Sequence, residues 1–310
     1  MNVFKGILLK LVSVLLFAVM SALIRGLGDT VPVEQVVFFR SAFAILPVVV
    51  VYAARRELST AVRTGRPLGH VGRGIISVFG MFLSFAALAR LPLVDATTLS
   101  FAAPLITVAL AAIILKERVR VYRWSAVVIG FLGVLVMLAP YLEFGRLAGS
   151  TMSAQSLGAL FALAAAFCNA GTVIQTRRLT DSETTSAIVF YFSLFCTIAG
   201  ALTLPFAWHP PTGAELAALV AIGVLGGISH ILLTESYRYA PASVVAPFDY
   251  TAMPWAFVLG YALFGETPKA LVFFGAAIVA GAGLFVIWRE RQLRIERALA
   301  RAKARTPSPG

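Results

Sequence analysis

The chain repeats itself, and that repeat limits what it can fold into more than any other property of the sequence. The segment Leu91-Pro92-Leu93-Val94-Asp95-Ala96, running through Pro104 to Glu117, returns as Ala240-Pro241-Ala242-Ser243-Val244-Val245, running past Pro254 to Glu266. The two prolines and the two glutamates share one interval (241 − 92 and 266 − 117 both give 149). Weaker echoes accompany it: Phe17, Ala22 and Ile24 against Phe167, Thr172 and Ile174, and Gly74 against Gly223. Both copies lie within apolar stretches, as expected of a membrane carrier assembled from two related halves.

Composition excludes an ordinary soluble domain. The 310 residues are 59% hydrophobic and 13% charged, with mean hydropathy +0.89, more apolar surface than one aqueous core can hold. The apolar runs are roughly 20 residues long, enough for a helix to cross a ~30 Å hydrocarbon layer and too long for barrel strands. Ten spans are predicted: 7–27, 33–53, 71–90, 92–115, 122–140, 154–178, 184–207, 214–237, 241–264 and 269–288. This is an all-α integral membrane protein with a first repeat over 1–140, a linker loop over 141–153, a second repeat over 154–288 and a basic tail over 289–310.

The net charge of +12 follows topology rather than nucleic acid. With a cytoplasmic N-terminus, about 21 of the 26 basic residues fall on one side, Lys5, Lys10 and Arg73 among them, and both termini face the cytoplasm of a bacterial-type inner membrane. Five spans separate each feature from its copy, so the halves are inverted. Cys168 and Cys196 lie inside spans and read as packing residues. Ala126 with Gly130, and Ala277 with Gly281, permit close helix approach within the bundle, or alternatively in a homodimer. The stretch from Arg289 to Arg305 suits a helix end resting on anionic headgroups, and Thr306 to Gly310 reads as disordered.

Phe85-Ala-Ala-Leu-Ala-Arg-Leu-Pro92, the hydroxyl residues to Ser100, Pro104 and Leu115-Lys-Glu-Arg118 resemble the signature of the EamA family in the drug/metabolite transporter superfamily. Tyr237-Arg-Tyr-Ala-Pro241 to Phe264-Gly-Glu266 repeats it, and Phe38-Phe39-Arg40 resembles the arginine position of the family's second span. The resemblance implies ten helices in two inverted five-helix repeats, a central cavity and secondary transport by alternating access. Gly6-Ile-Leu-Leu-Lys10 in the first span looks most like the branch containing riboflavin and S-adenosylmethionine importers, with amino-acid exporters more distant.

Where the halves agree, the fold is being maintained, and where only one carries an ionisable group, chemistry is expected. Met81 pairs with His230, Ala86 with Glu235 and Ser100 with Asp249. An ionisable side chain near the bilayer centre costs roughly 2.5–3.5 kcal/mol on insertion scales, so it faces a cavity or a partner. His230 and Asp249 flank the turn at Tyr239-Ala240 at similar distances, which puts both about 14 Å deep. They are expected to form a proton-sensitive pair, since histidine titrates near neutral pH and an adjacent carboxylate favours its charged form; a backbone bond for His230 and a helix-capping role for Asp249 are the structural alternatives. Glu235 is either a substrate contact or an interfacial partner of Arg238. Arg40, about 10 Å inside span two, either snorkels outward, gates the outer cavity or binds an anionic group.

Arg90 and Asp95 read as a surface pair or helix-end groups, and Glu117 and Glu266 as fold elements. Phe79, Phe82, Phe85, Tyr237, Tyr239, Phe248, Tyr250 and Trp255 crowd the same region. Aromatics at helical spacing commonly pack, but in a cavity they favour a flat substrate hydrogen-bonded to Asn169, Gln175, Ser100 or Thr97. No metal or cofactor is expected: His230 and Glu235 lack the second histidine of H-E-x-x-H. An intramembrane enzyme and a channel are the competing classes. A small organic molecule is the expected ligand.

Overall fold

The computed structural model describes residues 3–28, 30–54, 56, 63–114, 116, 120–141, 153–179, 182–240 and 242–305. The first half contains α1 (Val3–Leu27), α2 (Val33–Ala54), α3 (Pro67–Arg90), α4 (Leu93–Ser100), α5 (Ala102–Ile114) and α6 (Val121–Leu138). The second contains α7 (Ala154–Leu179), α8 (Thr185–Leu202), α9 (Gly213–Tyr239), α10 (Ala252–Phe264) and α11 (Ala270–Arg305). Nine spans, with α4 and α5 counted as one, are long and apolar enough to cross a membrane among the described residues. Phe131, Leu132, Phe273, Phe274 and Trp288 are exposed on the outside of the bundle, where hydrocarbon suits them and water does not.

Local chemistry sets the helix ends. The third span begins four residues before its predicted start because Pro67 occupies the first turn, where its missing N–H costs nothing. Thr212 and Glu215 form a reciprocal capping box at the start of α9, and Thr184 accepts from the Ala187 N–H to start α8. Gly265, at φ 64°, closes α10 in the left-handed region that favours glycine.

The ninth span, predicted as one helix over 241–264, is broken. A short turn at Ala242–Val245 leads into a 3-10 helix over Ala246–Thr251 before α10 resumes. Its counterpart breaks too, at Phe101 between α4 and α5. Both breaks come just before a proline: Pro104 and Pro254 carry no N–H for the carbonyls four residues earlier, at Ser100 and Tyr250, and their rings crowd those carbonyls. Phe101 and Tyr250, related by the 149-residue interval, touch with ring centroids 5.2 Å apart. Residues related by a two-fold repeat that contact each other lie on its pseudo-axis.

The halves interlock rather than sit side by side. α3 packs on α7 and its counterpart α9 on α1; α5 packs on α7 and its counterpart α10 on α1. The self-related pairs α2 with α8 and α6 with α11 complete the bundle. In the α6–α11 seam the backbones of Gly133 and Gly275 meet directly. Ala126 is buried and Gly130 backs onto Leu105, so that small pair packs inside the chain, whereas Ala277 and Gly281 face outward.

Two carboxylates of the second half cap helix starts of the first, on opposite faces of the bundle. On the face that carries Val3, Glu183 accepts from the N–H groups of Gly65 (2.9 Å) and Arg66 (2.8 Å) and from the Thr64 hydroxyl at 3.0 Å, with His70 Nε2 at 3.5 Å. On the other face, Glu266 accepts from the Leu93 N–H at 2.7 Å and from Arg25 Nε at 3.1 Å. Glu117, its sequence counterpart, lies outside the described residues. α11 runs on for 36 residues, roughly 54 Å, so the basic stretch through Arg305 continues the last span as helix. Residues 306–310 lie outside the described residues.

Burial works against charge on Glu183, but its hydrogen bonds from Thr64, Gly65, His70 and Arg66 win and hold the carboxyl below the usual range. The stabilisation is therefore present above the ordinary carboxylate range and lost as pH falls through the lowered value. Glu183→Gln is expected to melt at a lower temperature than the parent protein at pH 7. That difference should disappear on acidification, and a pH-independent gap would show that charge is not the cause.

Candidate functional site

A cavity of about 370 Å³ opens between the two halves, lined from α1, α2, α3, α7, α8 and α9. Its walls combine Met20, Met81, Phe85, Ile188 and Phe192 with Ser77, Ser84, Asn169, Thr172 and Thr176. Its charged groups are Arg40 and Arg73, and His230 completes the lining. Such a mostly apolar pocket with a few convergent polar groups is the usual form of a small-molecule site. A second space of about 820 Å³, lined by Arg25, Glu34, Phe79, Phe82, Arg90 and Gln155 among others, lies toward the face that carries Glu266.

Arg40 is 4% exposed, inside the bundle rather than snorkelling to its edge. Gly226 leaves it room: a Cβ there would stand 3.4 Å from Arg40 Nε. Arg40 Nη2 lies 3.0 Å from His230 Nε2. A guanidinium only donates, so Nε2 accepts and the ring proton sits on Nδ1. His230 is further held between Phe17, whose ring meets it edge-on at 5.1 Å, and Phe192. Arg73 donates from Nε to Thr176 Oγ1 at 2.8 Å and from Nη1 to the Ile188 carbonyl at 3.1 Å. Both guanidiniums lie against the Phe192 ring, at 5.5 and 5.2 Å from its centroid.

The expected pairing of His230 with Asp249 is replaced. Asp249 Oδ1 lies 2.6 Å from Lys10 Nζ, with the lysine side chain 2% and the aspartate 52% exposed. Depth along two adjacent spans placed His230 and Asp249 at one level, but the break in the ninth span turns Asp249 toward α1. Of the two readings of Arg90 and Asp95, they are helix-end groups and not a surface pair: Arg90, in the last turn of α3, donates to the Ala86 carbonyl at 2.9 Å and lies over Phe161, while Asp95, in the first turn of α4, is fully buried and accepts from the Tyr141 hydroxyl.

A sequence profile of the EamA-like transporter family matches residues 4–139 and 156–289. The chain belongs to the EamA-like transporter family. Among its relatives are an S-adenosylmethionine uptake transporter of Rickettsia prowazekii, 30% identical over 93% of this chain and 94% of that protein, and the pseudopaline exporter CntI of Pseudomonas aeruginosa, 30% identical over 88% and 93%. A riboflavin transporter of Vibrio cholerae is 27% identical over 96% and 97%. A solved crystal structure 20% identical to this chain superposes with a TM-score of 0.64 over 93% of this chain and 98% of that one, a likeness of fold alone. The EamA-family chain is thus a multi-pass inner-membrane transporter of a metabolite and not an enzyme.

Of the residues singled out from sequence, the structure gathers Arg40, Phe85, Asn169 and His230 at the cavity. Ser100 is exposed and donates to the Thr97 carbonyl at 2.6 Å. Tyr250 packs against Phe101 at the pseudo-axis, the two ring planes tilted by 42°, and Trp255, Gln175 and Glu235 are half-buried outside the cavity lining. The side chains of Tyr237 and Arg238 lie outside the described residues. Sequence reasoning missed Arg73 and Lys10, which it counted among cytoplasmic charges. For Lys10 the signal was its position seven residues inside the first helix; for Arg73 it was the proline at position 67, which starts α3 a turn earlier.

The Arg25–Glu266–Leu93 link ties the end of α1 and the start of α4 to the turn before α11 on the Glu266 face. Glu266→Ala removes the acceptor, leaving a helix-start N–H unpaired at a cost of about 1–3 kcal/mol. A cysteine introduced at Ser84 should then react faster with a membrane-impermeant maleimide than in the parent protein. Equal rates would show that Glu266 does not control access.

Proposed function

We propose that the protein is a secondary carrier working by alternating access, and that it takes up a flat, riboflavin-like vitamin. The observation that carries this reading is the cavity between the halves, in which Phe85, Met81 and Ile188 offer apolar surface and Ser77, Ser84 and Asn169 offer hydrogen bonds. The inverted repeat supports it, because two copies of one scaffold in opposite orientations give two related conformations open to opposite sides. Asp249 is the coupling carboxylate: it is half-exposed, sits at the break in the ninth span and pairs with Lys10 of α1, so it links that break to the first helix. His230 belongs to the substrate wall, positioning Arg40.

Growth rescue of a riboflavin-auxotrophic host tests the substrate, and proteoliposome flux with and without a proton gradient tests the coupling. Rescue with saturable, gradient-dependent flux is the expected result. Flux of S-adenosylmethionine instead, or outward movement of amino acids, would replace the vitamin assignment while leaving the carrier intact.

A further inference from the structure

We infer that Arg40 and Arg73 form an anion-binding subsite, which favours a form of the flat substrate that carries a carboxylate or phosphate group over its neutral form. The inference rests on the carrier reading and narrows its substrate. Arg40 is 4% and Arg73 9% exposed, yet no carboxylate lines their cavity among the described residues. Arg40 gives one of its donors to His230, while Nε and Nη1 are buried without a hydrogen-bond partner among the described residues. Arg73 commits Nε and Nη1 to Thr176 and the Ile188 carbonyl, and its Nη2 makes no further hydrogen bond among the described residues.

Two fixed positive charges at one aromatic ring, removed from water and without a counter-charge, are a costly arrangement for a resting protein. An incoming anion reverses that cost. It would accept from the unpaired guanidinium donors in the forked geometry that suits both carboxylate and phosphate, while its flat or apolar part rests on Phe85 and Met81. Lysine is not equivalent to either arginine here, because its three donors share one nitrogen, whereas the planar guanidinium can hold the protein with one edge and a ligand with another. A cationic substrate meets repulsion from the same pair, and a neutral one leaves both charges uncompensated.

The full chain, purified in detergent, would be titrated at constant ionic strength with sodium phosphate, sodium acetate, riboflavin and riboflavin 5′-phosphate, with chloride as the reference salt. The expected result is a saturable rise in melting temperature with phosphate or acetate but not chloride, and binding of riboflavin 5′-phosphate at least tenfold tighter than riboflavin. Arg40→Gln should reduce the anion affinity at least tenfold while melting without ligand no earlier than the parent, since it removes an uncompensated charge; Arg289→Gln, outside the cavity, should leave the anion response unchanged. If Arg40→Gln does not fold, Arg73→Gln and the comparison of the two flavins on the unaltered chain decide.

Equal responses to all salts, or equal binding of the two flavins, would overturn the subsite. So would an Arg40→Gln protein that binds phosphate and acetate as before. Transport separates the two readings. Riboflavin 5′-phosphate carried undiminished by Arg40→Gln would remove the subsite and leave the carrier, whereas anion binding without flux of any compound would remove the carrier and leave the subsite.

Discussion

Asparagine at position 249 is expected to abolish transport and to destabilise the protein by about 3 kcal/mol. Removing one partner of a buried ion pair leaves the other charge without compensation, a loss of roughly 3–5 kcal/mol. The lower end applies because Asp249 is half-exposed and water already screens it, whereas Lys10, 2% exposed, has little water to turn to. Adding Lys10→Met to Asp249→Asn removes the buried ammonium as well. The double variant should regain most of the lost stability and none of the transport if Asp249 couples flux to protons. Recovery of both would make the pair a structural link, and wild-type flux in Asp249→Asn alone would refute the coupling role outright.

Valine in place of Gly275 is expected to prevent stable assembly of the bundle. A Cβ at that position would run into the Gly133 carbonyl oxygen and Met137, backbone and core atoms that have no free rotamer to retreat into. Overpacking of this kind costs typically 1–3 kcal/mol, and more where backbone must move. The reverse position agrees: a Cβ on Gly133 would stand 2.8 Å from the Gly275 carbonyl oxygen. Gly281, on the same helix, has nothing within 4 Å of its would-be Cβ, so Gly281→Val is the matched control. Yield of monodisperse protein after detergent extraction reads the difference. Equal yields would mean that α6 and α11 separate more readily than their contact implies.

The scaffold was legible because hydropathy and the 149-residue interval are properties of the chain itself, and they located the spans, the duplication and the asymmetric ionisable positions. Arg40, Asn169 and His230 were found because a polar residue inside an apolar run carries a cost that demands a reason, and Phe85 because aromatic residues crowd that part of the sequence. Partners were harder to read. Pairing depends on which face each helix turns, and Pro104 and Pro254 rotate Ser100 and Asp249 out of the register that a continuous helix would give them. Lys10 and Arg73 were missed for a related reason: near a helix end, a charge positioned by topology and a charge buried in the bundle look alike until the boundary is fixed.

The interlocking of the halves bears on how the protein is made. α3 finds its main neighbour in α7 and α1 in α9, so the first 141 residues enter the bilayer without the surfaces they are shaped to meet. At a synthesis rate of roughly 5–20 residues per second, that half waits seconds for its complement, with ionisable side chains such as Lys10 and Arg73 facing lipid or transient water. A polypeptide cut between residues 141 and 153 and expressed as two pieces should therefore yield neither piece alone, yet assemble when both are made in one cell. Duplication here has produced two halves that each serve as the other's template for folding.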